Sequence, residues 1–245
     1  PQSDSPTLLF VHATGFHGRV WDKIIHAFPH HHALALELRG HGRSQKKPID
    51  HWNTMGRDMA AFATELGLQN AIGIGHSVGA HAMVDAAAQT RAFARLVLLD
   101  PTIVAPAFYA NPPASPGEPH PAARRRSAFA SPSDMWQRLR TKGSYPLFDR
   151  QMFWDYCRYG LLPTANGDFV LACPPEVEAA VYVAARTNGA VFESVRSLEI
   201  PVLILRAKEP PKVRQPMDFA SSPTWPQLVN EFAHGREIHL PQYTH

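Results

Sequence analysis

A serine set between two glycines, Gly75-His76-Ser77-Val78-Gly79, is the arrangement in this 245-residue sequence with the clearest chemical use. The apolar run Ala71-Ile72-Gly73-Ile74 precedes it and an Ala-rich stretch over 78–89 follows, so the serine falls where a buried strand turns directly into a helix. At the tip of such a turn the serine takes a strained backbone conformation, and its neighbours two positions away must be small. The helix aims its N-terminal N–H groups and positive dipole end at the reacting centre. The bland alternative is a passive serine in an ordinary Gly-rich turn. The five-residue pattern alone is common, and its place between strand and helix is what sets it apart. Serine at its ordinary pKa is a weak nucleophile and needs a base within hydrogen-bond reach. Histidine, which titrates near neutrality, suits that task. The chain has 14 histidines, so composition selects none of them.

The surrounding pattern supplies the elements that would position this serine. Short apolar runs at 8–11, 33–38, 71–75 and 96–99 read as strands and alternate with helical patterns at 20–28, 53–66 and 78–89, the signature of a largely parallel sheet. Asn53 or Thr54 is placed to cap the second helix, and Gly67 to stop it. After Asp100-Pro101 the composition changes. Prolines crowd 106–121, and 124–196 carries helical patterns rich in Trp, Tyr and Phe, which read as an inserted helical layer. Strands resume at 201–205 and 237–240, with a helix predicted over 225–232 between them. The expected organisation is a core of 1–102 and 197–245 with a helical cap of 103–196.

Four segments together resemble the α/β-hydrolase superfamily over nearly the whole chain. They are Phe10-Val11-His12-Ala13-Thr14-Gly15-Phe16, Leu38-Arg39-Gly40-His41-Gly42-Arg43-Ser44, the Ser77 turn, and Leu240-Pro241-Gln242-Tyr243-Thr244-His245. Within the superfamily the sequence looks like the bacterial esterase- and lipase-like members with a helical cap. The resemblance implies a mostly parallel sheet flanked by helices, with Ser77 as nucleophile and His245, just after the last strand, as base. It also implies an oxyanion hole built from the backbone N–H groups of Thr14 and Val78, although Ala13 stands where the family commonly has glycine. His12 reads as a core histidine fixing that loop, and the Arg39 to Ser44 loop as structural support.

The acid has two sites in such proteins. The commoner one follows the strand at 201–205, where Ala207-Lys208-Glu209-Pro210 offers Glu209, one position from the usual aspartate. The other lies one strand earlier, at Asp100, although an aspartate before proline is also a common turn former. Asp100 is favoured over Glu209, and Asp218 is a distant third.

Bulk properties narrow the function classes. With 44% hydrophobic and 18% charged residues the chain can bury a large core. No apolar run is long enough to span a bilayer, and no signal-peptide pattern opens the sequence. The net charge of +3 is concentrated at Arg124, Arg125 and Arg126, without the cationic-aromatic stripe of a nucleic-acid binder. The two cysteines lack metal-ligand spacing and suit a reducing, cytoplasmic setting. The expectation is a carboxylesterase-like serine hydrolase acting on a small apolar acyl or aryl ester, with no cofactor, metal or nucleic-acid partner. C–C bond hydrolase, lactonase or amidase chemistry on the same fold remains open, as does a hydrolase-like ligand-binding protein with little turnover.

Overall fold

The computed structural model describes residues 5–47, 49–110, 119–211 and 220–245. Six strands form one sheet in the order β2-β1-β3-β4-β8-β9, every pair parallel: β1 (Leu8–Val11), β2 (Ala33–Leu36), β3 (Ala71–His76), β4 (Phe93–Leu99), β8 (Val202–Ala207) and β9 (Gly235–Leu240). The β5 to β7 strands belong to the insert described below. All four residues of β1 are buried, as expected of a strand covered on both faces. Helices α1 (Asp22–Ile25), α2 (Asn53–Glu65) and α3 (Val78–Gln89) connect the first strands. Ten of the twelve residues of α3 are buried, and its many alanines allow it close approach to its neighbours. The main core joins α2 and α3 to one face of the sheet, with Trp52, Met55, Met59, Met83, Leu96 and Ile204 fully buried in it.

Between β4 and β8 lie α4 (Pro106–Ala110), α5 (Pro132–Leu139), α6 (Arg150–Tyr159), α7 (Pro175–Val183) and α8 (Val191–Ser197). A small antiparallel sheet accompanies them, in the order β5-β7-β6: β5 (Ala128–Phe129), β6 (Leu161–Pro163) and β7 (Phe169–Leu171). Strands of two or three residues are too short to leave a periodic signal in sequence. This region has a core of its own around Phe129, Met135, Phe153, Tyr156 and Leu161. Its end differs: Val191, Phe192 and Val195 of α8 join the main core.

Three local expectations are corrected. The helix predicted over 20–28 is a 3-10 turn, Gly18–Trp21, followed by the single turn α1. The tighter turn sets the Trp21 ring 5.3 Å from Phe10. Further on, the Ala27 and Phe28 N–H groups donate three residues back, to the Ile24 and Ile25 carbonyls, and the helix ends. The helix predicted over 225–232 is only a 3-10 turn, Leu228–Glu231. There the Leu228 and Asn230 N–H groups donate three residues back, to the Trp225 and Gln227 carbonyls (both 3.0 Å), the tighter 3-10 spacing. Neither Asn53 nor Thr54 caps α2; instead the His51 Nδ1 accepts the Asn53 N–H at 3.1 Å.

Candidate active site

The turn at Ser77 is held by contacts that exclude larger neighbours. A Cβ on Gly79 would lie 2.5 Å from the His12 carbonyl oxygen and 2.7 Å from that of Val11. A Cβ on Gly75 would lie 2.6 Å from the Ala80 Cα. Because Gly79 lacks a Cβ, α3 starts directly against the end of β1, and because Gly75 lacks one, α3 folds back closely on β3. Ser77 itself has φ 57° and ψ −119°, a region that side-chain-bearing residues occupy only under constraint. The constraint is visible: the Ser77 N–H donates to the Leu99 carbonyl (3.0 Å), while its own carbonyl accepts from the His81 and Thr102 N–H groups, each at 3.2 Å.

Three side chains separated widely in sequence meet at the carboxyl ends of the strands. The His245 Nε2 lies 3.0 Å from the Ser77 Oγ, and its Nδ1 lies 2.5 Å from the Asp100 Oδ2. Since a carboxylate only accepts, Nδ1 carries the proton and Nε2 is left to accept from the serine hydroxyl. Asp100 follows β4 with φ 47°, another non-glycine residue at positive φ. Its other oxygen, Oδ1, accepts from the Ala207 N–H (3.1 Å) and the Ser222 hydroxyl (2.5 Å). Burial pushes the Asp100 pKa up, but the hydrogen bond and charge of His245, aided by Ser222 and Ala207, bring it below the ordinary carboxylate value. Asp100 is therefore ionised at neutral pH.

Glu209 takes a different place. Its carboxylate accepts from Arg206 Nη1 at 3.1 Å on a side chain 59% exposed, while Arg206 Nε donates to Glu237 at 3.0 Å. Of the two weighed carboxylates, only Asp100 touches His245. Asp218 lies outside the described residues.

Val78 is the first residue of α3, so its amide belongs to the N-terminal N–H groups that have no acceptor within the helix. Thr14 stands in the loop after β1, which the missing Gly79 side chain lets lie close by. His12 supports that loop: it accepts the Leu38 N–H at Nε2 (3.1 Å), so Nδ1–H donates to the Ala13 carbonyl (2.8 Å). Burial, with the neighbouring His41 adding to it, holds His12 well below the ordinary histidine pKa. Burial also pushes His41 down to about 4, and His76, whose ring lies 5.1 Å from that of His245, to about 3. In the second loop Arg39 forms a two-pronged pair with Asp58 of α2, both contacts at 2.7 Å.

A cleft of about 2210 Å³ opens over Ser77, between the strand ends and the insert. Thr14, Ser77 and His245 line its floor; Phe108, Tyr145 and Phe148 come from the insert. Phe153 and Tyr156 mainly build the insert's own core, and Phe16 of the β1 loop packs on Tyr156 with ring centroids 5.0 Å apart. Among the described residues no helix is long and apolar enough to cross a membrane, and no cluster of three or more His, Cys, Asp or Glu could hold a metal ion. Both cysteines are free and buried, their thiols pushed up to about 12 by burial.

Sequence reasoning did not find Ser222 or Thr102. Ser222 braces Asp100 from 122 positions away. The Thr102 hydroxyl lies 3.1 Å from the Ser77 Oγ. Neither sits in a motif that could have announced it.

Known proteins resemble this chain both locally and globally. Over 100 residues, 39% of this chain and 37% of the relative, it is 38% identical to the lipase LipV of Mycobacterium tuberculosis. Over 98 residues, 39% of this chain and 35% of the relative, it is 37% identical to an N-formylmaleamate deformylase of Pseudomonas putida. The matches thus span little more than a third of these curated relatives. The solved structure of E-2-(acetamidomethylene)succinate hydrolase superposes with a TM-score of 0.68 at 22% identity, covering 97% of this chain and 84% of that one, a likeness of fold. The profile of the alpha/beta hydrolase family matches residues 8–245, and the chain belongs to that family.

Proposed function

We propose that this protein is a serine hydrolase of carboxylesterase type, cleaving an ester of a small apolar acyl or aryl group through an acyl-enzyme at Ser77. The observation that carries the reading is the continuous contact from the Ser77 Oγ through His245 to Asp100. Ser77 attacks the ester carbonyl while His245 takes its proton at Nε2. Asp100 keeps Nδ1–H in place and balances the imidazolium that forms. The N–H groups of Thr14 and Val78 receive the developing oxyanion, where one such donor is worth about 3 kcal/mol. His245 then gives its proton to the leaving alcohol. Water enters, loses a proton to His245, and releases the acid and free Ser77.

The partial match to a lipase supports the ester reading, and the insert's aromatic side chains over Ser77 suit an apolar acyl or aryl group. A second reading, hydrolysis of an amide C–N bond, draws on the similar partial match to a deformylase. It needs the same nucleophile, base and acid. Turnover of short-chain p-nitrophenyl esters and of matched anilides separates the two. Ser77→Ala should lower the rate by at least about a thousandfold on whichever substrate is cleaved. Equal rates in parent and variant would remove Ser77 as nucleophile. Absent turnover of both classes, with tight binding of a small ligand, would favour a binding protein.

A further inference from the structure

Behind Ser77 lies a second histidine–carboxylate pair that the reaction above does not use. His81 and Asp85 occur one and two turns along α3 from Ser77, and both are fully buried. Asn188, from the segment before α8, is buried against them. Its Nδ2 lies 2.6 Å from the Asp85 Oδ2 and 3.0 Å from the His81 Nε2. A carboxylate accepts only, so the amide nitrogen must face it, and the second N–H of that nitrogen goes to His81. His81 therefore accepts at Nε2 and carries its proton on Nδ1, which donates to the Thr102 carbonyl at 3.0 Å. Ser194 of α8 completes the set by donating to the Asp85 Oδ1 at 2.9 Å. Burial lowers the His81 pKa against the opposing pull of Asp85, and the Trp52 ring stands edge-on to it at 4.8 Å.

Thr102 is the outlet of this network. It is fixed at three points: its N–H donates to the Ser77 carbonyl, its carbonyl accepts from His81, and its hydroxyl lies 3.1 Å from the Ser77 Oγ. The direction of the last bond follows from the site. The Ser77 proton is committed to His245 Nε2, which has no proton of its own while Nδ1–H faces Asp100. The Thr102 hydroxyl must then be the donor.

Resting on the reading of Ser77 as nucleophile, we propose that Thr102 is a further catalytic residue, donating to the Ser77 Oγ, and that His81, Asn188 and Asp85 are positioning residues that hold it. In the free enzyme this bond occupies one lone pair of Oγ and turns the serine proton towards His245. As His245 draws off the serine proton, Oγ gains negative charge before its bond to the acyl carbon or to phosphorus is complete, and the same charge develops again in deacylation, before Oγ has taken its proton back from His245. Thr102 is aligned to meet that charge in both directions. A hydrogen bond to a charging oxygen is worth more than one to a neutral one. Thr102 therefore favours the transition state over the bound ground state.

The test uses a fluorophosphonate, which reports on the serine whatever the natural substrate: Oγ bonds to phosphorus, fluoride leaves, and His245 takes the proton. Thr102→Val should lower the inactivation rate constant by about 10- to 100-fold and leave the binding constant of the probe within about twofold. Thr102→Ser should restore most of the rate. Unchanged labelling in Thr102→Val, or a serine variant as slow as the valine, would overturn the role of Thr102. Ser77→Ala should abolish labelling; if it did not, the nucleophile reading itself would fall, a separate outcome. Asn188→Ala should slow labelling in the parent and have no further effect beside Thr102→Val, because it acts through that residue. Additive effects in the double variant would overturn the positioning network.

Discussion

Two turns at the carboxyl edge of the sheet are built alike and read differently from sequence. Ser77 follows β3 and Asp100 follows the adjacent β4; both are non-glycine residues at positive φ, 57° and 47°. Each N–H continues the ladder by one step into the next strand, Ser77 to the Leu99 carbonyl and Asp100 to that of Leu205, at 3.0 and 2.8 Å. The repeated geometry throws two side chains from neighbouring strands towards the same histidine. What differs is the source of the constraint. The Ser77 turn adds to its backbone hydrogen bonds the close packing that Gly75 and Gly79 permit, whereas the Asp100 turn is held through its side chain, by hydrogen bonds from Ala207 and Ser222. Backbone strain can thus be imposed by close packing or by polar anchoring, and only packing leaves a local motif.

The comparison breaks first on Asp100→Asn. The Ala207 and Ser222 donors can still meet an amide oxygen at Oδ1, so the turn should survive. The amide nitrogen would then face the His245 Nδ1 and force it to accept, moving the ring proton to Nε2, where it blocks proton uptake from Ser77. Turnover should fall by about 10⁴-fold. Glu209→Gln, changing an exposed partner of Arg206, should leave turnover within about twofold because surface pairs contribute little. Steady-state ester hydrolysis by the two variants measures the contrast, and a reversal of their order would move the acid to Glu209.

Next in size is Gly79→Ala. The new Cβ would meet two backbone oxygens of the β1 end, at 2.5 and 2.7 Å, that cannot yield without disturbing the sheet. Overpacking of this kind costs about 1–3 kcal/mol or more. Urea unfolding should show a loss of at least about 2 kcal/mol. A loss below 0.5 kcal/mol, roughly the scatter of neutral surface changes, would mean that the turn is not set by packing.

The same contrast accounts for what the sequence could disclose. The parallel sheet and the Ser77 turn were legible because their demands are local: apolar runs, helical spacing, and small residues two positions either side of the serine. The bond network around Asp100 was not, because it depends on strand order. Only when β8 lies beside β4 does the Ala207 N–H reach Asp100. Ser222 and Asn188 each act across more than 100 residues and carry no local signature. The helix expected over 225–232 is a shorter 3-10 turn whose N–H groups bond three residues back, a tightening that an apolar pattern does not announce. The short strands of the insert lie below the length at which alternation can be read.

The smallest effect separates the two kinds of constraint most directly. Glycine removes the steric penalty of positive φ at either position, a gain of about 1–3 kcal/mol where the strain is real. At Ser77 the lost side chain makes, among the described residues, hydrogen-bond contacts to His245 and Thr102 at the floor of an open cleft, where water can replace them. Ser77→Gly should therefore abolish turnover yet raise stability by about 1 kcal/mol, and it should be more stable than Ser77→Ala, which keeps the strained Cβ. At Asp100 the outcome should have the opposite sign. Asp100→Gly would leave the Ala207 N–H and the Ser222 hydroxyl without their buried acceptor, at a cost of about 1–3 kcal/mol each, which outweighs the relief of φ. Urea midpoints for the three variants read this directly. If both glycine variants proved more stable than the parent, the polar anchors would count for little, and the Asp100 turn would be held, like that of Ser77, by the shape of its surroundings.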